Sequence, residues 1–203
     1  MKKYSGQSLK KQLKIALVSH EVNVKSGSRA PIELAKALAK ENTVSFFAYP
    51  YNLDKKTATD LKASDVELFI LPSKERNAGG KIKNMLALNK ELRTHPPDLI
   101  SSHCLFPLFF ALLFVKRPII STYYGLQQNI VGEKLFPENL NISQKILDLL
   151  FNLLSFIQQL IIIRLSHHSV AISRYSQNEI QRLYKKKVPH IYLGAISSSL
   201  ENG

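Results

Sequence analysis

Residues 14–50, KIALVSHEVNVKSGSRAPIELAKALAKENTVSFFAYP, decide the fold. The stretch begins with a short apolar run, continues through a polar loop that contains Gly27, and ends in a second apolar run. Between the loop and the second run, five apolar residues recur at helical spacing: Ile32, Leu34, Ala35, Leu38 and Ala39. A strand, a loop, a helix and another strand in this order are typical of a parallel βαβ unit.

The same alternation continues along the chain. Strands are predicted at 13–19, 43–48, 66–71, 99–102, 119–122, 169–172 and 190–193. Helices are predicted within 29–41, 82–95 and 173–187, the last with Ser173 as its N-terminal cap. We therefore predict an α/β fold with a doubly wound, mostly parallel, Rossmann-like sheet. It spans residues 13–196, after a basic arm at 1–12 and before a polar tail at 197–203.

The net charge and the cysteine content of the chain indicate which classes of partner and which compartment are expected. Lysine and arginine number 28 against 15 acidic residues, a formal net charge of +13. Such a field attracts nucleic acid, anionic lipid or phosphorylated small molecules. The lysines are scattered and no nucleic-acid recognition motif is present, so no nucleic-acid partner is predicted. The single cysteine, Cys104, excludes an internal disulfide, and the first apolar run is too short for a signal peptide. Both observations favour the cytoplasm.

Two apolar stretches, 104–115 and 146–165, raise the question of a membrane. The first falls short of the roughly 20 apolar residues that span a bilayer, so we expect a core or interfacial helix. The second is long enough, but four polar residues recur at spacings of three and four: Asp148, Asn152, Ser155 and Gln159. An amphipathic helix is expected, with its wide apolar face in the core or, as the alternative, in a lipid interface.

The loop around Gly27 follows the first strand, where parallel sheets commonly bind ligands. Glycine allows close approach of the backbone to a phosphate, and Ser26 and Ser28 could donate hydrogen bonds. The alternative is that Gly27 only makes the turn. The segment lacks the glycine pattern of dinucleotide sites, and AGGKIK at 78–83 lacks the Ser or Thr of a P-loop. No two aspartates are closely paired, so no metal site is predicted.

The order of these features resembles the N-terminal, acceptor-side domain of family 4 glycosyltransferases, which are retaining enzymes of the GT-B fold. Residues 14–50 are similar to the opening strand, loop, helix and second strand of that family. PPDLISSHCLFPLFFALLF (96–114) is similar to its strand ending in histidine, and RPIISTYYGLQQ (117–128) to the next strand and loop. HHSVAISRYSQNEIQRLYKKKVPHIYLGAI (167–196) is similar to the closing strand, helix and strand.

The resemblance implies site residues. Ser26, Gly27 and Ser28 would lie near the diphosphate of a nucleotide-sugar donor, which is a substrate, with no cofactor implied. His103 would face the acceptor cleft, although a histidine beside an apolar run is as often a core residue. Tyr124 and Gly125 stand where the family often has histidine and glycine, so a phenol would replace a near-neutral proton acceptor.

Ser173 and Arg174 would begin the helix that lines the cleft, although Ser173 is equally expected as a plain helix cap.

The implied function is sugar transfer from a nucleotide-sugar to a lipid-linked or cell-envelope glycan. Only nine residues follow Gly194, so the donor-binding domain is expected to be absent and the chain inactive without a donor-domain partner. The charge and the apolar helix favour a peripheral position on the anionic inner face of the cell membrane. The alternative is a catalytically silent domain that binds a partner or that membrane surface.

Overall fold

The computed structural model describes residues 12–24, 29–51, 53–104, 108–124 and 142–191, with the backbone alone for 142–152. Six parallel strands form one sheet in the order β3-β2-β1-β4-β5-β6. Their bounds lie within one residue of the first six predicted strands: β1 Lys14–Ser19, β2 Thr43–Ala48, β3 Val66–Ile70, β4 Leu99–His103, β5 Ile119–Tyr123 and β6 His168–Ala171. The predicted Rossmann-like α/β fold is confirmed.

The helices cover both faces of this sheet. The described helices are α1 Arg29–Ala39, α2 Lys55–Ala63, α3 Ala78–Thr94, α4 Leu108–Leu113, α5 Ile142–Leu165 and α6 Arg174–Tyr184. The helix α2 was not predicted from sequence, and α3 begins four residues before the predicted span. The strand predicted at 190–193 is wrong for 190 and 191, where His190 makes a single parallel bridge to Ala171; residues 192 and 193 lie outside the described residues.

Successive side chains of each strand pack into two different core layers, one on each face of the sheet. Ile15 and Leu17 of β1 face α1 and α2, whereas Ala16 and Val18 face the helices on the other side of the sheet. Successive side chains of a strand point to opposite faces, so each strand needs cover on both sides. This requirement explains why β1 appears in the sequence as a continuous apolar run, IALV at 15–18, and not as an alternating one.

The two apolar stretches are helices, as predicted, and each buries only part of its surface. In α4, four residues are buried: Leu108, Phe109, Ala111 and Leu112. In α5, Ile162 and Ile163 of the last turns lie in the core, while Leu153 and Leu154 are more than half exposed. The preferred core prediction therefore holds for the end of α5 that packs on the sheet. None of the helices that the structure describes is long and apolar enough to cross a bilayer.

The start of α3 is fixed by a compact polar junction. The side chain of Asn77 caps the helix by accepting from the backbone N–H of Gly80 at 2.8 Å. Buried Asn84 then accepts from the N–H of Ser73 at 2.8 Å and donates to its carbonyl at 2.9 Å. These bonds tie the loop after β3 to the second turn of α3. We call this group the Ser73–Asn84 junction.

Candidate functional site

The carboxyl ends of the six strands form one edge of the sheet, and β1 and β4 meet at its centre. The helix that follows β1 packs on one face and the helix that follows β4 on the other. This reversal is the topological switch point, where open α/β sheets bind their ligands. The last residue of β4, His103, pairs with Ser19, the last residue of β1. The predicted position of His103 at a strand end is therefore confirmed.

The predicted residues His103 and Tyr124 are brought together at this edge. Tyr124 follows the last residue of β5, the strand beside β4. Its hydroxyl lies 2.7 Å from Nδ1 of His103, and Ser101 Oγ lies 3.0 Å from the other ring nitrogen, Nε2. Sequence reasoning missed Ser101, although its position two residues before His103 on the same strand face is a signal that could have found it. We call these three residues the His103 network.

Burial sets the protonation states of this network. Desolvation lowers the pKa of His103 to about 4, so its imidazole is neutral at pH 7. Burial also raises the pKa of the Tyr124 phenol above its usual value. The pair therefore consists of a neutral imidazole and a neutral phenol. It can orient a ligand by hydrogen bonding, and neither group is poised as a strong base at neutral pH.

A neutral imidazole couples the two hydroxyl groups through its tautomer. With the proton on Nε2, the ring donates a hydrogen bond to Ser101 and accepts one from Tyr124. The phenol proton is then engaged within the protein. With the proton on Nδ1, the ring accepts from Ser101 and donates to Tyr124. The phenol proton is then free to be donated to a ligand oxygen. A ligand that accepts from Tyr124 therefore favours the Nδ1 tautomer, and Ser101 can support either one.

An aromatic row, which sequence reasoning also missed, extends along the same edge from β1 to the loop after β3. His20 stacks on Tyr49 with ring centroids 6.1 Å apart, and Tyr49 stacks on Tyr51 at 5.0 Å. The exposed guanidinium of Arg76 lies 5.1 Å from the ring centroid of Tyr51. Burial lowers the pKa of His20 despite the opposing influence of nearby Glu21. The row places an apolar wall and one cation beside the switch point.

The remaining predicted site residues fall into two groups. Ser173 caps α6, because its Oγ accepts from the backbone N–H of Ser176 at 3.1 Å, as the cap prediction required. Arg174 is the first residue of that helix and is exposed at the carboxyl edge of β6. The other four predicted residues lie outside the described residues: Ser26, Gly27, Ser28 and Gly125.

Cys104 follows the last residue of β4, next to His103. The Cys104 thiol is buried, and desolvation raises its pKa to about 12, so it stays protonated. Within the described ranges, no three His, Cys, Asp or Glu side chains are grouped as metal ligands.

The strand order and the helices on both faces define a Rossmann-like α/β domain with a polar edge at its switch point. The chain belongs to Glycosyltransferase Family 4, which matches residues 28–195. A search of curated protein sequences found no match. The N-terminal-domain resemblance seen in the sequence is therefore supported by the family match.

Solved structures show the same fold at low sequence identity. A glycosyltransferase from Rickettsia africae superposes with a TM-score of 0.60 at 16% identity, covering 90% of this chain and 43% of that one. Anabaena HepE, solved with UDP and glucose, gives a TM-score of 0.58 at 13% identity, covering 91% and 45%. A sucrose-phosphate synthase structure from Thermosynechococcus elongatus gives a TM-score of 0.56 at 11% identity, covering 91% and 90%. The chain thus spans less than half of the first two structures and has the fold of one half of a GT-B enzyme.

Proposed function

We propose that this chain forms the acceptor-side domain of a retaining, metal-independent glycosyltransferase. It would transfer a hexosyl group from a nucleotide-sugar to a lipid-linked or cell-envelope glycan. One observation carries the proposal: in a family 4 chain, His103 and Tyr124 lie 2.7 Å apart at the carboxyl ends of adjacent strands, beside the switch point. Partly buried polar groups at that position are typical of ligand sites.

In this proposal, Tyr124 donates a hydrogen bond to a sugar oxygen in the cleft. The neutral imidazole of His103 holds the phenol in place and releases its proton toward the ligand by adopting the Nδ1 tautomer. The raised pKa of Tyr124 keeps the phenol protonated over the neutral range, so it serves as a donor of hydrogen bonds and not as a base. The residues act by orienting the reacting sugar.

The donor diphosphate is assigned to Ser26, Gly27, Ser28 and Arg174, with Gly125 beside the reacting sugar. Arg174 supports this assignment because it is an exposed cation at the first position of α6, where the helix dipole already favours an anion. Anabaena HepE was solved with UDP and glucose, which supports a nucleotide-sugar as the class of donor.

Catalysis in this proposal requires a donor-binding half. The chain covers 43% and 45% of the Rickettsia and Anabaena structures, and one wall of a cleft leaves most of a nucleotide in water. The second half would come from a partner chain or from further sequence. We place the enzyme in the cytoplasm, on the inner face of the membrane, because a net charge of +13 attracts anionic lipid headgroups.

A reconstitution assay tests the proposed activity. The chain is combined with candidate donor-binding domains, and release of nucleotide from a panel of nucleotide-sugars is measured with and without glycan acceptor. The proposal expects acceptor-dependent release that requires both halves. Turnover by the donor-binding half alone, at the same rate, would show that this domain contributes nothing to the reaction.

A catalytically silent domain that binds a partner or an anionic membrane is the second candidate. It is favoured by one feature of the His103 network: both ring nitrogens already have hydrogen-bond partners within the protein. Nucleotide-sugar binding by the assembled protein separates the two candidates. A silent domain would leave the affinity of the donor-binding half for the nucleotide-sugar unchanged.

A further inference from the structure

Four large apolar side chains are exposed on α3 and at the end of α4, two helices that pack against each other. They are Ile82 and Leu86 of α3, Phe110 of α4, and Phe114, which follows the last residue of α4. Between 41% and 61% of each residue is exposed to solvent. We call this surface the α3–α4 face. Single exposed apolar residues are ordinary, whereas a contiguous group marks an interaction surface.

Two hydrogen bonds show that the four side chains belong to one surface. Asn89 donates to the carbonyl of Ala111 at 3.0 Å, and Arg93 donates to the carbonyl of Phe114 at 3.3 Å. Residues 82, 86, 89 and 93 follow one another at spacings of four, three and four, so they share one stripe of α3. The apolar end of that stripe therefore continues toward the neighbouring helix, where Phe110 and Phe114 pack edge to face at 5.1 Å.

The apolar residues of this stripe, Ile82 and Leu86, are not part of the hydrophobic core. The opposite side of α3 carries buried Asn84, Leu88 and Leu92, which supply its contacts with the sheet. Ile82 and Leu86 thus add apolar surface that is more than half exposed to solvent. This arrangement gives α3 two apolar sides, only one of which is used within the described part of the chain.

Several exposed lysines flank the face. Lys81, Lys83 and Lys90 are exposed on α3, and Lys116 is exposed just after α4. No acidic residue occurs between Glu75 and Glu91. A second copy of the chain would bring these cations against their own counterparts, whereas an anionic bilayer offers both opposite charge and an apolar interior.

We propose that the α3–α4 face docks on an anionic lipid bilayer, with its apolar side chains in the interface and the lysines on the headgroups. The inference rests on the membrane-surface location in the proposed function and names the contacting face. Helices α3 and α4 begin at the carboxyl edge of the sheet, the edge that holds His103. Docking here places the bilayer beside the cleft, so a lipid-linked acceptor reaches the site without leaving the membrane.

The helix α5 also exposes apolar residues and is the alternative membrane-contacting surface. Leu153, Leu154 and Ile157 are exposed there, but the polar residues among them, Ser155, Gln158 and Gln159, are neutral. Headgroup attraction is worth about 1 kcal/mol for each Lys or Arg near the surface. No lysine or arginine occurs between Leu153 and Gln159, so this segment of α5 lacks that contribution and provides a matched control.

Co-sedimentation with vesicles, using the full chain without nucleotide-sugar, tests the proposal. We compare vesicles of pure phosphatidylcholine with vesicles that also contain phosphatidylglycerol. The apolar variant is Ile82→Gln with Leu86→Gln, and the charge variant is Lys81→Gln with Lys83→Gln. The control variant is Leu153→Gln with Leu154→Gln. All six positions are exposed, and thermal unfolding followed by circular dichroism checks that each variant is folded.

The proposal expects wild-type chain to bind the anionic vesicles and each α3 variant to bind about tenfold or more weakly. The control is expected to bind like wild type. Absence of wild-type binding, unchanged binding by folded α3 variants, or an equal loss in the control would overturn the proposal. Because no nucleotide-sugar is present, failure here leaves the reconstituted transfer activity untouched, and failure of that activity leaves vesicle binding untouched.

Discussion

Two polar clusters lie near the carboxyl edge of the sheet, and their hydrogen bonds go to different kinds of partner. In the Ser73–Asn84 junction, the amide of Asn84 bonds to both backbone groups of Ser73, so the cluster holds a loop in place. In the His103 network, two bonds of 3.0 and 2.7 Å join side chains and hold no backbone group. Polar side chains that fix no part of the chain are available to a ligand. The first cluster therefore serves the fold, and the second is the candidate site.

Removing Asn84 is expected to give the largest loss of stability. Asn84→Ala leaves the buried N–H and carbonyl of Ser73 without their partner, which should lower the free energy of unfolding by about 2 to 4 kcal/mol. Asn89→Ala is the matched control, because it removes one partly buried bond to Ala111 and should cost about 1 kcal/mol. Urea unfolding measures both. Equal losses would contradict the assignment of Asn84 to a structural junction.

Acid should destabilise the protein through the His103 network. An unfolded histidine binds a proton below about pH 6.5, whereas folded His103 does so only near its pKa of about 4. Because the folded pKa is the lower one, stability is lost as pH falls from about 6.5 to 4 and levels off below it, by up to about 3 kcal/mol. His103→Gln should flatten this decline, leaving the contribution of His20, whose pKa is also lowered by burial. Unfolding free energies measured from pH 7 to pH 4 that decline equally in both proteins would contradict the burial of a neutral His103.

Two adjacent glycines, Gly79 and Gly80, test how tightly the Ser73–Asn84 junction is packed. A Cβ on Gly80 would lie 2.3 Å from the carbonyl oxygen of Glu75 and 2.8 Å from Ser73 Oγ, so Gly80→Ala should cost about 1 to 3 kcal/mol. A Cβ on Gly79 would lie 3.6 Å from its nearest neighbour, an ordinary contact. Gly79→Ala should be neutral or stabilise by up to about 1 kcal/mol, since alanine favours a helix. Thermal unfolding of the pair measures the difference, and an equal response would show that the junction tolerates a side chain.

Sequence periodicity was enough for the fold because short apolar runs such as IALV of β1 alternate with segments of helical spacing such as α1. It failed for α2, where only Thr57 and Leu61 are buried and four of nine residues are lysine or aspartate. It also placed the start of α3 too late, because Gly79 and Gly80, which have low helix propensity, occupy the first turn that Asn77 caps. Both misses occur where a cap or a tertiary contact outweighs the apolar pattern.

The candidate site was predicted residue by residue, but not as a network. His103 and Tyr124 were found from the resemblance, each at a strand end. Their contact depends on the register of β4 and β5, which pairs Ser102 with Ser121 and which no local pattern encodes. The aromatic row of His20, Tyr49 and Tyr51 depends in the same way on neighbouring strands ending together. Side chains that meet only at a common edge require the folded sheet to be recognised.

The central claim is that Tyr124 faces the reacting sugar in a glycosyltransferase cleft. The most direct measurement is kcat/KM of Tyr124→Phe in the enzyme assembled with its donor-binding half, beside Tyr175→Phe, a change at an exposed position on α6. We predict a fall of about tenfold or more for Tyr124→Phe, with the free energy of unfolding within about 1 kcal/mol of wild type. Tyr175→Phe should behave as wild type. Unchanged kcat/KM in a folded Tyr124→Phe enzyme would contradict the account.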